Sequence, residues 1–501
     1  MSQKSSETSK SILRNVLFNF STWFLPLGLS FFATPIIVRS LGDEDYGIFA
    51  LVLGFVGYSL NFGIGRAITK YISEYRASGE VEKIKEVISA TFFLNAGVGL
   101  AGVAGICLLA NVLVSDVFRI QPELQKNSVY AFYIASGIIF LTTLNQVFSA
   151  ILQGIHRFDV YSKILNFNSI ALLSGNIALA LWGYGLLVLL AWNLVVLVIV
   201  CFLSLISAKS LLPEFGISFN FRRETLKKVL KFSSGVIGYQ ILGNLLLLFE
   251  RGWITRKLGA ENLTYYVVPM MLGLYIHSFA SSLVLVIFPL ASELTDQKEK
   301  LLRLYTKATK VISLLVVFLA ATLIVQSTTF LTLWMGAEFA EKASALLIVH
   351  TVTFGLAAIL TVSWQMTEGL GHPSFNFRMF TVSVSLSVIL MITLTPGFGT
   401  YGVAVSRLAG FVILFLSIFY VEKWFFGKIQ IGLWTKLIGV LGISVILSAL
   451  VEEAIISNMK LSWFALIVSS FFGGIAYCLT AWLLGFITED EKHLIRSVLR
   501  R

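Results

Sequence analysis

Residues 184–208 read YGLLVLLAWNLVVLVIVCFLSLISA and contain no charged side chain over 25 positions. About 20 apolar residues are enough for an α-helix to cross the hydrocarbon core of a bilayer. Similar apolar runs recur along the whole chain, and short segments rich in Gly, Pro or charged residues separate them. The stretch therefore predicts a membrane-spanning helix that is one of many.

The composition of the 501-residue chain extends this interpretation to the whole protein. It is 57% hydrophobic and 13% charged, with a mean hydropathy of +0.85, whereas soluble domains are roughly 45–50% apolar and about 25% charged. A soluble enzyme is excluded, and so is an outer-membrane barrel, because barrel strands alternate apolar and polar residues. We predict an all-α, polytopic inner-membrane protein with about fourteen spans. They cover residues 15–38, 46–66, 87–115, 127–152, 160–182, 184–208, 232–257, 263–290, 308–333, 343–367, 375–395, 400–421, 434–451 and 461–487.

The positive charges indicate orientation. The net charge of +11 is typical of many cytoplasmic loops rich in Lys and Arg, so no nucleic-acid partner is expected. With a cytoplasmic N-terminus and strict alternation, 29 of the 38 Lys and Arg residues lie inside and 8 lie outside. This asymmetry predicts a multi-pass protein of the inner (plasma) membrane with both termini cytoplasmic.

The sequence repeats itself. RSLGDEDYGIF from Arg39 returns as RKLGAENLTYY from Arg256. Three further short matches follow in the same order at offsets of 215 to 219 residues: Ser73-Glu74 with Ser292-Glu293, Gln153-Gly154-Ile155 with Glu368-Gly369-Leu370, and Tyr184-Gly185 with Tyr401-Gly402. We therefore predict two parallel six-helix repeats plus two C-terminal helices. The predicted domains are an N-terminal lobe (1–208), a cytoplasmic linker (209–231), a C-terminal lobe (232–421), and two additional helices with a cytoplasmic tail (422–501).

Three segments carry a resemblance to a known family. TPIIVRSLGDEDYGIFAL from Thr34, NFGIGRAITKYISEY from Asn61 and ILQGIHRFDVYSKI from Ile151 resemble the polysaccharide flippases. These are the lipid-linked oligosaccharide translocases of the multidrug/oligosaccharidyl-lipid/polysaccharide exporter superfamily. The resemblance covers most of the first half closely and the second half through the repeat.

The resemblance implies translocation of a polyprenyl-diphosphate-linked oligosaccharide from the cytoplasmic to the outer leaflet, for surface polysaccharide assembly such as that of the O-antigen of lipopolysaccharide. The implied mechanism is alternating access through a cationic central cavity. The implied partners are the lipid-linked oligosaccharide, membrane lipids and, as an open question, the glycan polymerase or ligase machinery.

Ionisable residues inside the spans are the candidate substrate-binding groups, because each is costly in lipid and has to face protein or water. Glu250 is the one acid that the predicted boundaries place clearly within a span, and Arg251 and Arg407 are the cations there. Arg39 and Arg66 lie at predicted span ends, where they could also extend to the interface. Arginine binds phosphate oxygens in a bidentate fork, so these residues favour a cationic site.

Uncharged polar residues within the spans form a second set of candidates. Their side chains could bind sugar hydroxyls or could hydrogen-bond one helix to another. They are Asn61, Asn145, Gln146, Asn176, Gln240, Asn244 and Gln365.

Two other functions remain open. A cation-coupled multidrug exporter of the same superfamily would need an embedded carboxylate, and Glu250 alone supplies one under the predicted boundaries. A membrane enzyme would need catalytic groups or a sizeable outside loop. The sequence has no catalytic triad, metal-ligand cluster or phosphate-binding Gly loop, and its largest outside loop is about eleven residues. We therefore expect no enzymatic activity, metal or cofactor.

The predicted topology can be checked by cysteine labelling from outside the cell. In a variant lacking Cys107, Cys201 and Cys478, a cysteine introduced at Asp43 or Gly397 is expected to react with an impermeant maleimide. A cysteine at Glu80 is expected to react only after the membrane is permeabilised. Labelling at Glu80 from outside would contradict the topology.

Overall fold

A computed structural model describes residues 25–58, 64–219, 222–284, 287–295 and 297–486. Within these ranges every regular element is a helix, and none is a strand. This confirms the all-α class. It also satisfies the rule that a lipid-embedded backbone has to complete its hydrogen bonds within each segment.

Seventeen helices cover the described residues in chain order. They are α1 (Leu25–Leu41), α2 (Asp43–Tyr58), α3 (Ile64–Ser78), α4 (Val81–Val112), α5 (Pro122–Gly154), α6 (Phe158–Leu181), α7 (Leu186–Leu211), α8 (Arg223–Leu258), α9 (Ala260–Val284), α10 (Ile287–Glu293), α11 (Lys298–Val325), α12 (Ser327–Trp334), α13 (Ala337–Gly369), α14 (Pro373–Phe426), α15 (Ile431–Lys436), α16 (Gly442–Asn458) and α17 (Trp463–Leu483). Short π-helical turns, Leu113–Val117 and Leu437–Leu441, follow α4 and α15.

Ten helical segments of the described chain are long and apolar enough to cross a membrane, so the protein is a multi-pass membrane protein. One of them, α14, contains a break at Gly399, whose φ of 55° and ψ of −139° are non-helical, shortly after Pro396. The break separates the predicted spans 375–395 and 400–421. The predicted span 46–66 covers most of α2 and the first three residues of α3, and residues 59–63 between them lie outside the described ranges. The total of fourteen spans stays a prediction.

The chain divides into two compact units, residues up to Thr264 and residues from Tyr265 onwards. Apolar side chains of α3, α4, α5 and α7 form the core of the first unit, and those of α11, α13, α14 and α17 dominate the core of the second. Helix α8, which the sequence assigned to the second lobe, belongs to the first compact unit. The predicted lobe boundaries and the relation between the two repeats stay predictions.

One interhelical hydrogen bond occurs in both halves of the sequence. Ser73 Oγ in α3 donates to the carbonyl of Gly154 at the end of α5, at 2.8 Å. Ser292 Oγ in α10 donates to the carbonyl of Gly369 at the end of α13, at 2.7 Å. These four residues belong to two of the short sequence matches that defined the repeat. The matches therefore mark the same helix-to-helix contact twice.

The repeated Leu-Gly pairs also have the same structural role. Gly42 ends α1 with a φ of 78°, and its N–H donates to the carbonyl of Val38. Gly259, 217 residues later, ends α8 with a φ of 93° and donates to the carbonyl of Thr255. Positive φ at a helix end is adopted at least cost by glycine. Glycine is therefore required at both helix ends.

The close approach at Gly369 leads to a stability prediction. A Cβ there would lie 2.5 Å from the carbonyl oxygen of Phe288 and 3.0 Å from the Cβ of Ala291. We expect Gly369→Ala to lower the free energy of unfolding by about 1–3 kcal/mol through overpacking, measured as a lower melting temperature in detergent. Gly442→Ala is the control, because a Cβ there meets nothing within 4 Å and Ala favours the helix. Equal melting temperatures for the two variants would contradict the packing argument.

Candidate functional site

A stripe of uncharged polar side chains runs along one face of α5. Counted from Thr142, the residues Asn145, Gln146, Ser149 and Gln153 occupy positions i+3, i+4, i+7 and i+11, which places them on the same side of a helix. The stripe is roughly 16 Å long at 1.5 Å per residue. On a helix that is otherwise apolar enough to cross a bilayer, such a stripe requires a polar neighbour.

That neighbour is a cavity of about 340 Å³ in the first unit. The polar side chains of the α5 stripe form one wall, and α3, α6 and α8 supply the rest. The lining residues are Gly65, Thr142, Asn145, Gln146, Ser149, Ala150, Gln153, Tyr161, Leu165 and Gln240. We call this cavity the amide pocket, because four of its seven polar side chains are carboxamides.

One polar group of the amide pocket is buried without a hydrogen bond. Among the described residues, the Oδ1 of Asn145 is an acceptor that receives no donor. Thr143, immediately beside Thr142, shows the usual alternative: its hydroxyl donates to the carbonyl of Phe140 in its own helix, at 2.7 Å. The lining therefore offers amides and hydroxyls that both donate and accept.

Glu250 and Arg251 lie in α8 within the first unit. Glu250 is 1% exposed, and Arg251 is partly buried and donates from Nη1 to the carbonyl of Ala50 in α2. The stem of Arg251 passes over Gly54, where a Cβ would lie 2.5 Å from Arg251 Cδ. Arg251 thus joins α8 to α2, so it has a role in helix packing. A role for Glu250 or Arg251 in substrate binding stays a prediction.

Arg407 lies in α14 within the second unit and is only 3% exposed. Its Nη1 donates to the sulfur of Met270 at 3.0 Å, and its guanidinium carbon lies 5.5 Å from the centre of the Phe354 ring. A cation over an aromatic face is stabilised by the ring quadrupole. Arg407 is therefore a buried cation in contact with a thioether sulfur and an aromatic ring.

The other three predicted site residues lie at or near the predicted ends of the first two spans. Arg39 is exposed near the end of α1, where the sequence also allowed it to extend to the interface. Arg66 lies in the first turn of α3, and Asn61 lies outside the described residues. Their roles in binding stay predictions.

Two buried carboxylates correct the expectation that Glu250 is the one acid clearly within a helix. Glu422 near the end of α14 is fully buried. It accepts hydrogen bonds from the Tyr305 hydroxyl at 2.7 Å, the Trp434 indole at 2.8 Å and the backbone N–H of Gln430 at 2.7 Å. The sequence placed it one residue beyond a span, because an apolar run shows where hydrophobicity ends and not where the helix ends.

Glu452 in α16 is the second such carboxylate, and it is also fully buried. Its oxygens accept from the Thr322 hydroxyl at 2.9 Å, the Gln326 amide at 2.8 Å and the Ser448 hydroxyl at 3.2 Å. Gly473 in α17 leaves room for it, because a Cβ there would lie 2.5 Å from Glu452 Oε1. Glu452 therefore binds α16 to α11 and α17, and neutral donors satisfy it. Within the described ranges no cluster of three His, Cys, Asp or Glu side chains could hold a metal ion.

Sequence reasoning found part of the amide pocket. Asn145, Gln146 and Gln240 were candidates as single polar residues, whereas Thr142, Ser149, Gln153 and Tyr161 were not considered. The helical spacing of the polar residues on α5 is the signal that would have shown the stripe. The inclusion of Tyr161 and Gln240 depends on how α6 and α8 pack.

These features define a polytopic helical membrane protein with polar and cationic groups inside its spans. The chain belongs to the family described as polysaccharide biosynthesis protein, whose model matches residues 36–344.

Named relatives match this chain over most of their own lengths. A "Putative O-antigen transporter" of Shigella flexneri is 21% identical over 403 residues, which cover 79% of this chain and 94% of that protein. A "Probable low-salt glycan biosynthesis flippase Agl15" of Haloferax volcanii is 24% identical over 499 residues, covering 94% and 96%. Among solved structures, the inward closed conformation of the lipid II flippase MurJ matches with a TM-score of 0.75 at 14% identity, covering 94% of this chain and 99% of that one. That likeness establishes the fold.

The role of Glu452 can be tested by stability measurements. We expect Glu452→Leu to lower the free energy of unfolding by about 1–3 kcal/mol. The change removes the acceptor of the half-buried Thr322 hydroxyl. It also removes one of the partners of the buried Gln326 amide, which keeps the hydroxyls of Ser469 and Ser470. Glu453→Leu is the matched control, since Glu453 is exposed on the same helix. Thermal unfolding of both purified variants, followed by tryptophan fluorescence, provides the comparison. A Glu452→Leu protein as stable as Glu453→Leu would contradict the bridging role.

Proposed function

We propose that this protein is a flippase that moves a polyprenyl-diphosphate-linked oligosaccharide from the cytoplasmic to the outer leaflet for surface polysaccharide assembly. The observation that carries the proposal is family membership over residues 36–344. Relatives named as an O-antigen transporter and a glycan biosynthesis flippase, which align over nearly their whole lengths, support it.

The polar groups inside the spans fit such a substrate. A lipid-linked oligosaccharide carries a diphosphate at the junction of tail and head, and the head is rich in hydroxyl groups. The buried guanidinium of Arg407 is of the type that binds phosphate oxygens, and the amide pocket offers partners for hydroxyls. Transport needs no bond to be broken, and the proposal is accordingly a transporter without enzymatic chemistry, in the inner membrane with both termini cytoplasmic.

The membrane potential supplies a driving force. A diphosphate substrate moves outward from a cell whose interior is negative, so each net negative charge that crosses is favoured by roughly 2.3 kcal/mol per 100 mV. The protein then needs cationic groups that bind the phosphate on the inside and release it on the outside. In this mechanism Arg66, Arg251 and Arg407 bind phosphate during alternating access.

Substitution of these arginines tests the mechanism. We expect Arg→Ala at Arg66, Arg251 or Arg407 to reduce flipping of a fluorescent polyprenyl-diphosphate glycan in proteoliposomes, and the triple Ala variant to abolish it. Arg→Lys is expected to retain part of the activity, because lysine keeps the charge but loses the bidentate fork. Imposing an outside-negative potential should slow outward movement in the wild type.

Folding has to be controlled, because Arg251 also packs α8 against α2. Each variant is compared at equal membrane insertion and with an unchanged size-exclusion profile. If a normally inserted triple Ala variant still flipped the glycan, the cationic mechanism would be wrong. If transport survived the arginine changes and instead failed in Glu250→Gln, the cation-coupled exporter mechanism would replace it.

A further inference from the structure

We infer that the amide pocket is a binding subsite for one uncharged sugar unit. The inference rests on the proposed function for the origin of the sugar, but its argument comes from the pocket itself. Nothing in the family match assigns these side chains a role.

The first argument is chemical complementarity. Four carboxamides and three hydroxyls line the pocket. A carboxamide presents one acceptor and one donor group side by side, and a sugar hydroxyl both donates and accepts, so neighbouring hydroxyls of a pyranose match such a lining. Tyr161 and Leu165 add apolar surface for the C–H faces of the ring.

The second argument is the energetic cost of leaving a polar lining group without a hydrogen-bond partner. In a membrane-spanning helix an unpaired hydroxyl or amide is costly, and Thr143 avoids the cost by bonding to its own helix. The Oδ1 of Asn145 is buried and has no such partner among the described residues. Groups left unpaired in this way are available to a ligand that supplies donors and acceptors.

The third argument is the absence of formal charge among the described lining residues. These ten residues include no Lys, Arg, His, Asp or Glu. Burying a phosphate or a carboxylate here would leave its charge without a counter-charge, which is strongly unfavourable. A ligand cation would likewise find no carboxylate. The pocket therefore selects an uncharged sugar, such as a hexose or an N-acetylhexosamine, over a uronic acid.

Size and position agree with a single unit of the head group. A volume of about 340 Å³ lies at the small end of ligand pockets, which run from about 300 to 1,000 Å³. Gln153 and Tyr161 lie on either side of the turn between α5 and α6, which the charge asymmetry predicts to be cytoplasmic. A head group entering from the cytoplasm would meet this pocket early.

Adjacent threonines provide the test. Thr142→Val removes a hydroxyl from the pocket, and Thr143→Val makes the same change outside it. Gln240→Met is a second pocket variant, on a different helix. Equilibrium binding is measured in lipid nanodiscs free of sugar detergents, with four radiolabelled probes: polyprenyl diphosphate alone, the same lipid carrying one hexose, the same lipid carrying one uronic acid, and an alkyl glucoside.

We expect Thr142→Val and Gln240→Met each to weaken binding of the hexose-bearing lipid roughly 2- to 10-fold, the equivalent of one lost hydrogen bond. Binding of polyprenyl diphosphate alone is expected to stay unchanged, as is binding by Thr143→Val. The uronic acid probe is expected to bind the wild type at least about tenfold more weakly than the hexose probe.

Several results would overturn the inference. They are equal losses of affinity for the hexose-bearing and the bare lipid, equal effects of Thr142→Val and Thr143→Val, no effect of any pocket variant, or equal binding of the uronic acid and hexose probes.

If the wild type flips the lipid-linked glycan while the pocket variants bind every probe normally, the subsite is wrong and the proposed function stands. If the alkyl glucoside binds in a Thr142-dependent way but no polyprenyl probe is bound or flipped, the sugar subsite stands and its ligand comes from another glycolipid.

Discussion

The hydrocarbon core of the bilayer contains no water, so every polar group inside it has to find a partner within the protein or face a polar cavity. This requirement explains the uniformly helical backbone, because each helix satisfies its own N–H and C=O groups. It also explains why so many hydroxyls in the spans bond to carbonyls one turn earlier, as Ser128, Thr353 and Thr361 do. Polar groups that bond to another helix therefore have a different role from polar groups that face a cavity.

Polar groups bonded across helices hold the structure together. Glu422 and Glu452 each accept three hydrogen bonds from uncharged donors, and between them they bind α15 and α16 to α11 and α14. The Tyr477 hydroxyl binds α17 to α11 by donating to the carbonyl of Leu314. Arg251 does the same for α8 and α2 through the carbonyl of Ala50. Because apolar surfaces gain little by associating in lipid, such bonds and close contacts at small residues carry much of the specificity of packing. The two C-terminal helices are attached in this way.

The amide pocket is of the opposite kind. Five of its polar side chains lie on one face of α5, and among the described residues the buried Oδ1 of Asn145 has no hydrogen-bond partner. The hydroxyl of the neighbouring Thr143, by contrast, finds a partner in its own helix. A ligand that donates a hydrogen bond would satisfy the Asn145 oxygen.

The sequence by itself determined the all-α class, the membrane location and the approximate place of the spans, because hydrophobicity over about 20 residues is a local property. It also marked the repeat, and the matches at Ser73 and Ser292 proved to make equivalent hydrogen bonds. Only the tertiary structure decided that Arg251 packs against α2, that Glu422 and Glu452 are buried and satisfied, and that Tyr161 and Gln240 share a pocket with the stripe on α5. These outcomes depend on which helices touch and at what distance. Contacts between residues far apart in the chain are set by the packing of whole helices, and no local pattern of residues encodes them.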